Sequence, residues 1–243
     1  MRGDKVITTI LFDLDGTLLP MDMNMFIKKY FSELSIKLKD YFTLEKLTES
    51  IWSSTKYMVN NIDADKTNEE AFFEDFYERI NHEAEIINPI LNDFYEDDFN
   101  NIKSVTTQNK HIIESVTSLK QKGYYLVLAT NPIFPEKAIL HRIEWAGLNK
   151  DDFIFITSLE KMHYCKPQLK FYEEVLRNIQ KHPQHCLMVG NDIEEDMIAK
   201  NLGMKTYLIE DHVIGTIKED TSIDYKGSYK DFYEFVTALP NLK

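Results

Sequence analysis

The stretch TTILFDLDGTLLP, residues 8–20, decides the fold. Ile10, Leu11 and Phe12, extended upstream by Val6 and Ile7, form an apolar run that reads as a strand buried on both faces. The run ends in Asp13 and Asp15, whose spacing puts both carboxylates on one face of an extended chain. Gly16 follows at once and lets the backbone turn without a Cβ penalty. Asp and Gly are also ordinary turn residues, so a plain polar turn is the competing reading. Two carboxylates at one strand end repel each other, however, and a hard cation such as Mg²⁺ relieves that conflict. Open α/β sheets bind ligands beyond the carboxyl ends of their strands, which is where this pair would project.

Working outward, residues 21–105 lose the β-branched runs and take up helical spacing. Asp22 is placed to cap a helix carrying Phe26, Tyr30, Leu34 and Leu38 inward, and Thr43 to cap the next. Thr67 and Glu70 have capping-box spacing, ahead of Phe72, Phe73, Phe76 and Ile80. Asn88-Pro89 reads as a cap followed by proline at the first helical position. About four helices are expected, with the aromatics chiefly in their core. From residue 108 strands and helices alternate: helix 108–122, strand 124–130, helix 135–145, strand 153–157, helix 169–180, strand 186–190, helix 193–201 and strand 205–209. Repeated strand–helix units imply a parallel sheet with right-handed crossovers. The tail reads as a loop near 217–220 and a last helix at 229–238. The expected fold is α/β, a Rossmann-like doubly wound parallel sheet. Its core comprises residues 1–20 and 106–243, and a helical cap (21–105) is inserted after the first strand.

Bulk properties narrow the function. A chain of 243 residues supports a sizeable core. No apolar run approaches the ~20 residues that span a bilayer. MRGDKVITTI has no apolar h-region of a signal peptide, so a cytoplasmic location is expected. Two cysteines, Cys165 and Cys186, make no disulfide framework. A net charge of −12 argues against nucleic acid as a partner and against membrane attachment by a basic surface. An anionic substrate must then be held by local cations.

Three further stretches end predicted strands in polar residues: Thr130-Asn131, Lys166-Pro167, and Gly190-Asn191-Asp192 with Asp196 beyond. Each alone is unremarkable: a strand-ending turn, a solvated loop lysine, an acidic first helical turn that complements the dipole. Glu194 and Glu195 fit that last description. His163 and Cys165 are read as structural. Together with Asp13-Leu14-Asp15-Gly16-Thr17-Leu18, however, the ordered set resembles the four signature motifs of the haloacid dehalogenase-like hydrolases. The resemblance covers roughly residues 5–20 and 106–210.

That resemblance implies a Mg²⁺-dependent phosphatase acting on a small phosphorylated metabolite. Asp13 would be the nucleophile that forms an aspartyl-phosphate, and Asp15 the acid and base. Thr130 and Lys166 would stabilise the phosphoryl group, and Gly16, Thr17 and Asn131 would shape substrate binding. Asp13, Asp192 and the Asp15 carbonyl would hold the metal, with Asp196 bound to it or ordering the lysine. Asp15 favours phosphoryl transfer over dehalogenation, since halide leaves without a proton. A phosphomutase or another phosphotransferase of the family is the alternative, and a non-catalytic phosphate sensor a more distant one. The oligomeric state is not readable from the sequence.

Overall fold

The computed structural model describes residues 6–80, 84–217 and 222–243. Its centre is a six-stranded sheet ordered β3-β2-β1-β4-β5-β6. The strands are β1 (Thr9–Phe12), β2 (Tyr125–Leu128), β3 (Phe155–Ile156), β4 (Cys186–Gly190), β5 (Lys205–Ile209) and β6 (Tyr225–Gly227). Every pairing is parallel. The apolar run is central because it can be covered on both faces. Ile10 and Phe12 enter one core layer, where Phe12 meets Phe232 edge-on at 6.0 Å between ring centroids. Leu11 points the other way, into a layer with Phe171 and Val175. The strand itself begins at Thr9, and Val6 is exposed.

Between β1 and β2 the chain builds α1 (Met23–Lys37), α2 (Leu44–Val59), α3 (Asn68–Ile80), α4 (Ala84–Glu96) and a 3₁₀ segment, Asp98–Val105. The caps are those the sequence indicates. Asp22 accepts from the Asn24 and Met25 amides at 2.9 and 3.0 Å, and Thr43 from Lys46 at 3.3 Å. The Thr67 amide donates to the Glu70 carboxylate at 2.8 Å, and the Glu70 amide to the Thr67 hydroxyl at 3.2 Å. The insert enters and leaves through adjacent links. Met21 bridges Thr106, and the Thr107 amide donates to the Pro20 carbonyl at 3.1 Å. After the insert, α5 (Lys110–Lys122), α6 (Glu136–Trp145), α7 (Leu169–Ile179) and α8 (Tyr229–Ala238) flank the sheet. Among the described residues no helix is long and apolar enough to cross a membrane.

Three local expectations change. Asn88-Pro89 does not open a helix: Pro89 lies inside α4, and the Asn88 side chain accepts from the Tyr77 hydroxyl. Tertiary packing of Ile87 and Phe94 overrides the local signal. The predicted helix 193–201 is a turn followed by a 3₁₀ segment, Met197–Leu202. Side chains take over the ladder there. Asp192 Oδ1 accepts from the Glu194 and Glu195 amides, and Asp196 accepts from the Asp192 amide. The strand β6 was not foreseen, because its three residues follow a polar segment without alternation. Residues 218–220 of the expected loop lie outside the described residues.

The interior position of Pro89 has a measurable consequence. It removes a backbone bond within α4, a cost of about 1–3 kcal/mol relative to alanine. Pro89→Ala should therefore raise stability in urea unfolding by about 1 kcal/mol or more. A loss of stability would instead place Pro89 at a helix start.

Candidate active site

The parallel register gathers the four motif stretches at one end of the sheet. Phe12 pairs with Leu128 on one side and Val189 on the other. Asp13 thus leaves β1 where its amide donates to the Val189 carbonyl at 2.9 Å, with Thr130 and Asp192 a short step beyond their own strand ends. Lys166 reaches the same place from the loop before α7. It is fully buried, and its Nζ donates to Asp13 Oδ1 at 2.9 Å and to Asp196 Oδ1 at 2.6 Å. Burial works against the ammonium, but the Asp13 and Asp196 carboxylates outweigh it and hold the Lys166 pKa well above the ordinary lysine value. Burial pushes Asp196 above the usual carboxylate range, while Lys166 and the Asp192 amide favour its ionised form. Asp196 therefore orders the lysine. Room for it comes from Gly190, where a Cβ would sit 2.0 Å from Asp196 Oδ2.

Asp15 has a different partner from Asp13. One carboxylate oxygen takes a bond from Arg142 on α6, and Oδ1 is buried with no partner. Burial pushes its pKa up to about 6, opposed by Arg142 and aided by Asp13. Arg142 is 1% exposed and lies 4.5 Å over the Phe134 ring. It is a site residue that the sequence did not announce, since a lone arginine in an amphipathic helix reads as solvated surface.

Gly16 and Thr17 set the turn rather than open toward a ligand. Gly16 has φ +80° and its missing Cβ would fall 2.4 Å from Asn191 Nδ2. Thr17 is fully buried and donates to Asn191 Oδ1 at 2.9 Å. Asn191 in turn donates to the His212 carbonyl at 2.7 Å, and the Tyr229 hydroxyl donates to the Gly16 carbonyl at 2.7 Å. The C-terminal helix thereby fastens the first motif. Asn131 also works inside the protein, accepting from the Lys166 amide at 3.2 Å and donating to Glu195 at 2.9 Å. Glu195 departs from expectation. It is half-buried, with a pKa raised to about 7 by burial first, whereas Glu194 is exposed. Thr130 is 3% exposed, and its hydroxyl has no acceptor among the described residues. Cys165 is buried, its thiol pushed far up by burial, and His163 pairs with Glu174. Neither belongs to the site.

The donor set suits a hard cation. Asp13 and Asp192 are carboxylates at neighbouring strand ends, and the Asp15 carbonyl carries none of the turn's backbone bonds. No cluster of three or more acid, His or Cys side chains is poised for a metal among the described residues. Mg²⁺ does not require one, because it is commonly held by one or two carboxylates and keeps several waters.

A doubly wound parallel sheet with a helical insert after its first strand, and a lysine-clamped carboxylate at its strand ends, is the architecture of a capped, Rossmann-like hydrolase. Residues 7–203 match the haloacid dehalogenase-like hydrolases, and the chain belongs to that family. It is 25% identical over 203 residues to the pyrophosphatase PpaX of Bacillus velezensis, covering 84% of this chain and 83% of that one. PpaX of Anoxybacillus flavithermus is 24% identical over 203 residues, 82% of each chain. In fold it is similar to a HAD phosphatase from Thermococcus onnurineus, with TM-score 0.60, 18% identity, and 97% and 100% of the chains covered. An L-2-haloacid dehalogenase from Xanthobacter autotrophicus aligns with TM-score 0.55 and 14% identity over 96% of this chain and all 100% of that one.

The Arg142–Asp15 pair gives a pH-dependent expectation. An acid whose folded pKa is about 6, above its reference 3.8, binds more protons folded than unfolded, so stability rises as pH falls through that window. Arg142→Met removes the cation that limits this rise. The variant should lose roughly 3–5 kcal/mol near pH 8 and distinctly less near pH 5, by urea unfolding in EDTA. Equal losses at both would mean that Arg142 stabilises through packing alone.

Proposed function

We propose that the protein is a Mg²⁺-dependent phosphatase that hydrolyses a small-molecule phosphate monoester in the cytoplasm through an aspartyl-phosphate on Asp13. The observation that carries this reading is the buried Lys166 bonded at 2.9 Å to Asp13, with Asp15 two residues on and paired elsewhere. Lys166 places positive charge beside Asp13, where phosphoryl oxygens would lie, inside a chain of net charge −12. Asp13 attacks phosphorus as the bond to the leaving oxygen breaks, and the electron pair leaves with that oxygen. Asp15 gives it a proton, then accepts one from the water that cleaves the acyl phosphate and releases phosphate. The Thr130 hydroxyl donates to a phosphoryl oxygen. Mg²⁺, held by Asp13, Asp192 and the Asp15 carbonyl, would supply further charge neutralisation. Gly16, Thr17 and Asn131 position these groups through the bonds described above. The resemblance to proteins named pyrophosphatase and phosphatase supports the reaction class. The unpaired Asp15 Oδ1 supports a proton donor role and distinguishes the site from halide displacement.

Purified protein should hydrolyse p-nitrophenyl phosphate with Mg²⁺ and stop with EDTA. Asp13→Asn should retain its fold by circular dichroism and lose at least about a thousandfold in kcat, in the range of a deleted nucleophile. Wild-type activity in that variant would remove Asp13 from the covalent role. Asp192→Ala should raise the Mg²⁺ concentration for half-maximal rate much more than Glu194→Ala, whose side chain is exposed. The opposite order would move the metal ligand off Asp192.

A further inference from the structure

Asp15 is also part of the wall of a cavity of about 510 Å³ that runs into the helical insert. Its lining is largely aromatic, with Phe26, Tyr30, Phe72, Phe76, Tyr77 and Phe134 among the walls. These rings are locked against one another. Phe72 stacks on Phe76 at 5.3 Å, and Tyr30 meets Phe134 edge-on at 5.4 Å. The Tyr30 and Tyr95 hydroxyls bond each other at 2.8 Å. The cavity is therefore a fixed apolar volume beyond the proposed proton donor, on the side where a leaving group would extend.

Its charges are one-sided. Glu69, Glu70 and Glu160 line it, and burial together with Glu160 and Glu70 pushes the Glu69 pKa up. Lys137 is the one basic lining residue among those described, and it pairs with Glu96. Arg142 is not among the lining residues; its Nη1 bonds Asp15, and its Nη2 is buried without a partner among the described residues. Within the lining an acidic leaving group would meet Asp15, Glu69, Glu70 and Glu160 against the single Lys137, so its desolvation would go largely uncompensated. Two of the three glutamate carboxylates already accept backbone amides, Glu160 from Glu136 at 2.9 Å and Glu70 from Thr67, and the rest of the wall is mostly apolar, which suits an uncharged group better than a hydrated cation.

We infer that this cavity receives the leaving alcohol of the substrate, and that this alcohol is apolar and uncharged: the natural substrate is the phosphate monoester of an aliphatic or aromatic alcohol. The inference rests on the phosphatase reading and narrows it. It separates this chain from the pyrophosphatases it resembles, since the group leaving pyrophosphate is itself an anion.

Two measurements on the full chain with Mg²⁺ test it. Calorimetry with hydrolysis-inert methyl-, butyl- and hexylphosphonate, phosphonoacetate and 2-aminoethylphosphonate reads the cavity alone. Rates with methyl, butyl and hexyl phosphate, phosphoglycolate, phosphocholine and pyrophosphate read it during turnover. Affinity and kcat/KM should rise up to roughly fourfold per methylene, the transfer value of a buried CH₂, until the cavity is filled. Hexyl compounds should exceed the acidic and cationic ones by at least about tenfold. A flat chain-length series, or a preference for phosphonoacetate, phosphoglycolate, pyrophosphate or either cationic compound, overturns the inference. Tight hexylphosphonate binding without turnover of any ester, p-nitrophenyl phosphate included, overturns the phosphatase reading while the ligand chemistry of the cavity stands.

Discussion

The site depends on one buried cation. Lys166 has no exposed surface and lies between two carboxylates, Asp13 at 2.9 Å and Asp196 at 2.6 Å. An ammonium removed from water at this depth is tolerable only when paired and hydrogen-bonded. Each surrounding feature serves that condition. Gly190 leaves the space that Asp196 occupies, the Asp192 amide fixes the second Asp196 oxygen, and Asn131 holds the Lys166 backbone. The arrangement crosslinks the ends of β1 and β4 to the loop before α7, so the carboxylate proposed to react is held in place by buried bonds between these elements. A preorganised charge of this kind needs no rearrangement when negative charge arrives.

The second carboxylate is held differently, in keeping with the two roles proposed for the pair. Asp13 is bound to a lysine shared with Asp196. Asp15, on the same strand extension, turns to Arg142 and keeps one oxygen unpaired and buried. Two neighbouring acids in unlike surroundings are what a nucleophile and a proton carrier require. Burial raises the Asp15 pKa to about 6, and Arg142 limits that rise.

Much of this was legible in the chain. The run at Ile10–Phe12, covered on both faces, fixes β1 as the central strand, and the alternation after residue 108 fixes the parallel sheet. Asp22, Thr43 and the Thr67–Glu70 pair mark helix starts because capping is a local interaction. The motifs beyond β1 and β4 and the loop before α7 bring Asp13, Lys166 and Asp196 into one cluster. What was not legible depends on contacts distant in sequence. Arg142 is separated from Asp15 by 127 positions, and nothing in its helix marks it as buried. Tyr229 reaches the first motif across 213 positions. The sequence makes Glu195 part of an acidic first helical turn, because helical periodicity does not show the side-chain bonds that impose a turn there. Pro89 misled for the same reason in reverse, since a local start signal lost to packing.

The central claim is that Asp13, clamped by Lys166, becomes covalently phosphorylated during turnover. Rapid acid quench of enzyme in excess over substrate, followed by peptide mass spectrometry, tests it most directly. The account predicts a phosphoryl mass on the peptide containing Asp13, lost on mild base treatment or hydroxylamine and absent in Asp13→Asn. A burst of product with no phosphorylated peptide, or with the phosphoryl group on another residue, would contradict it.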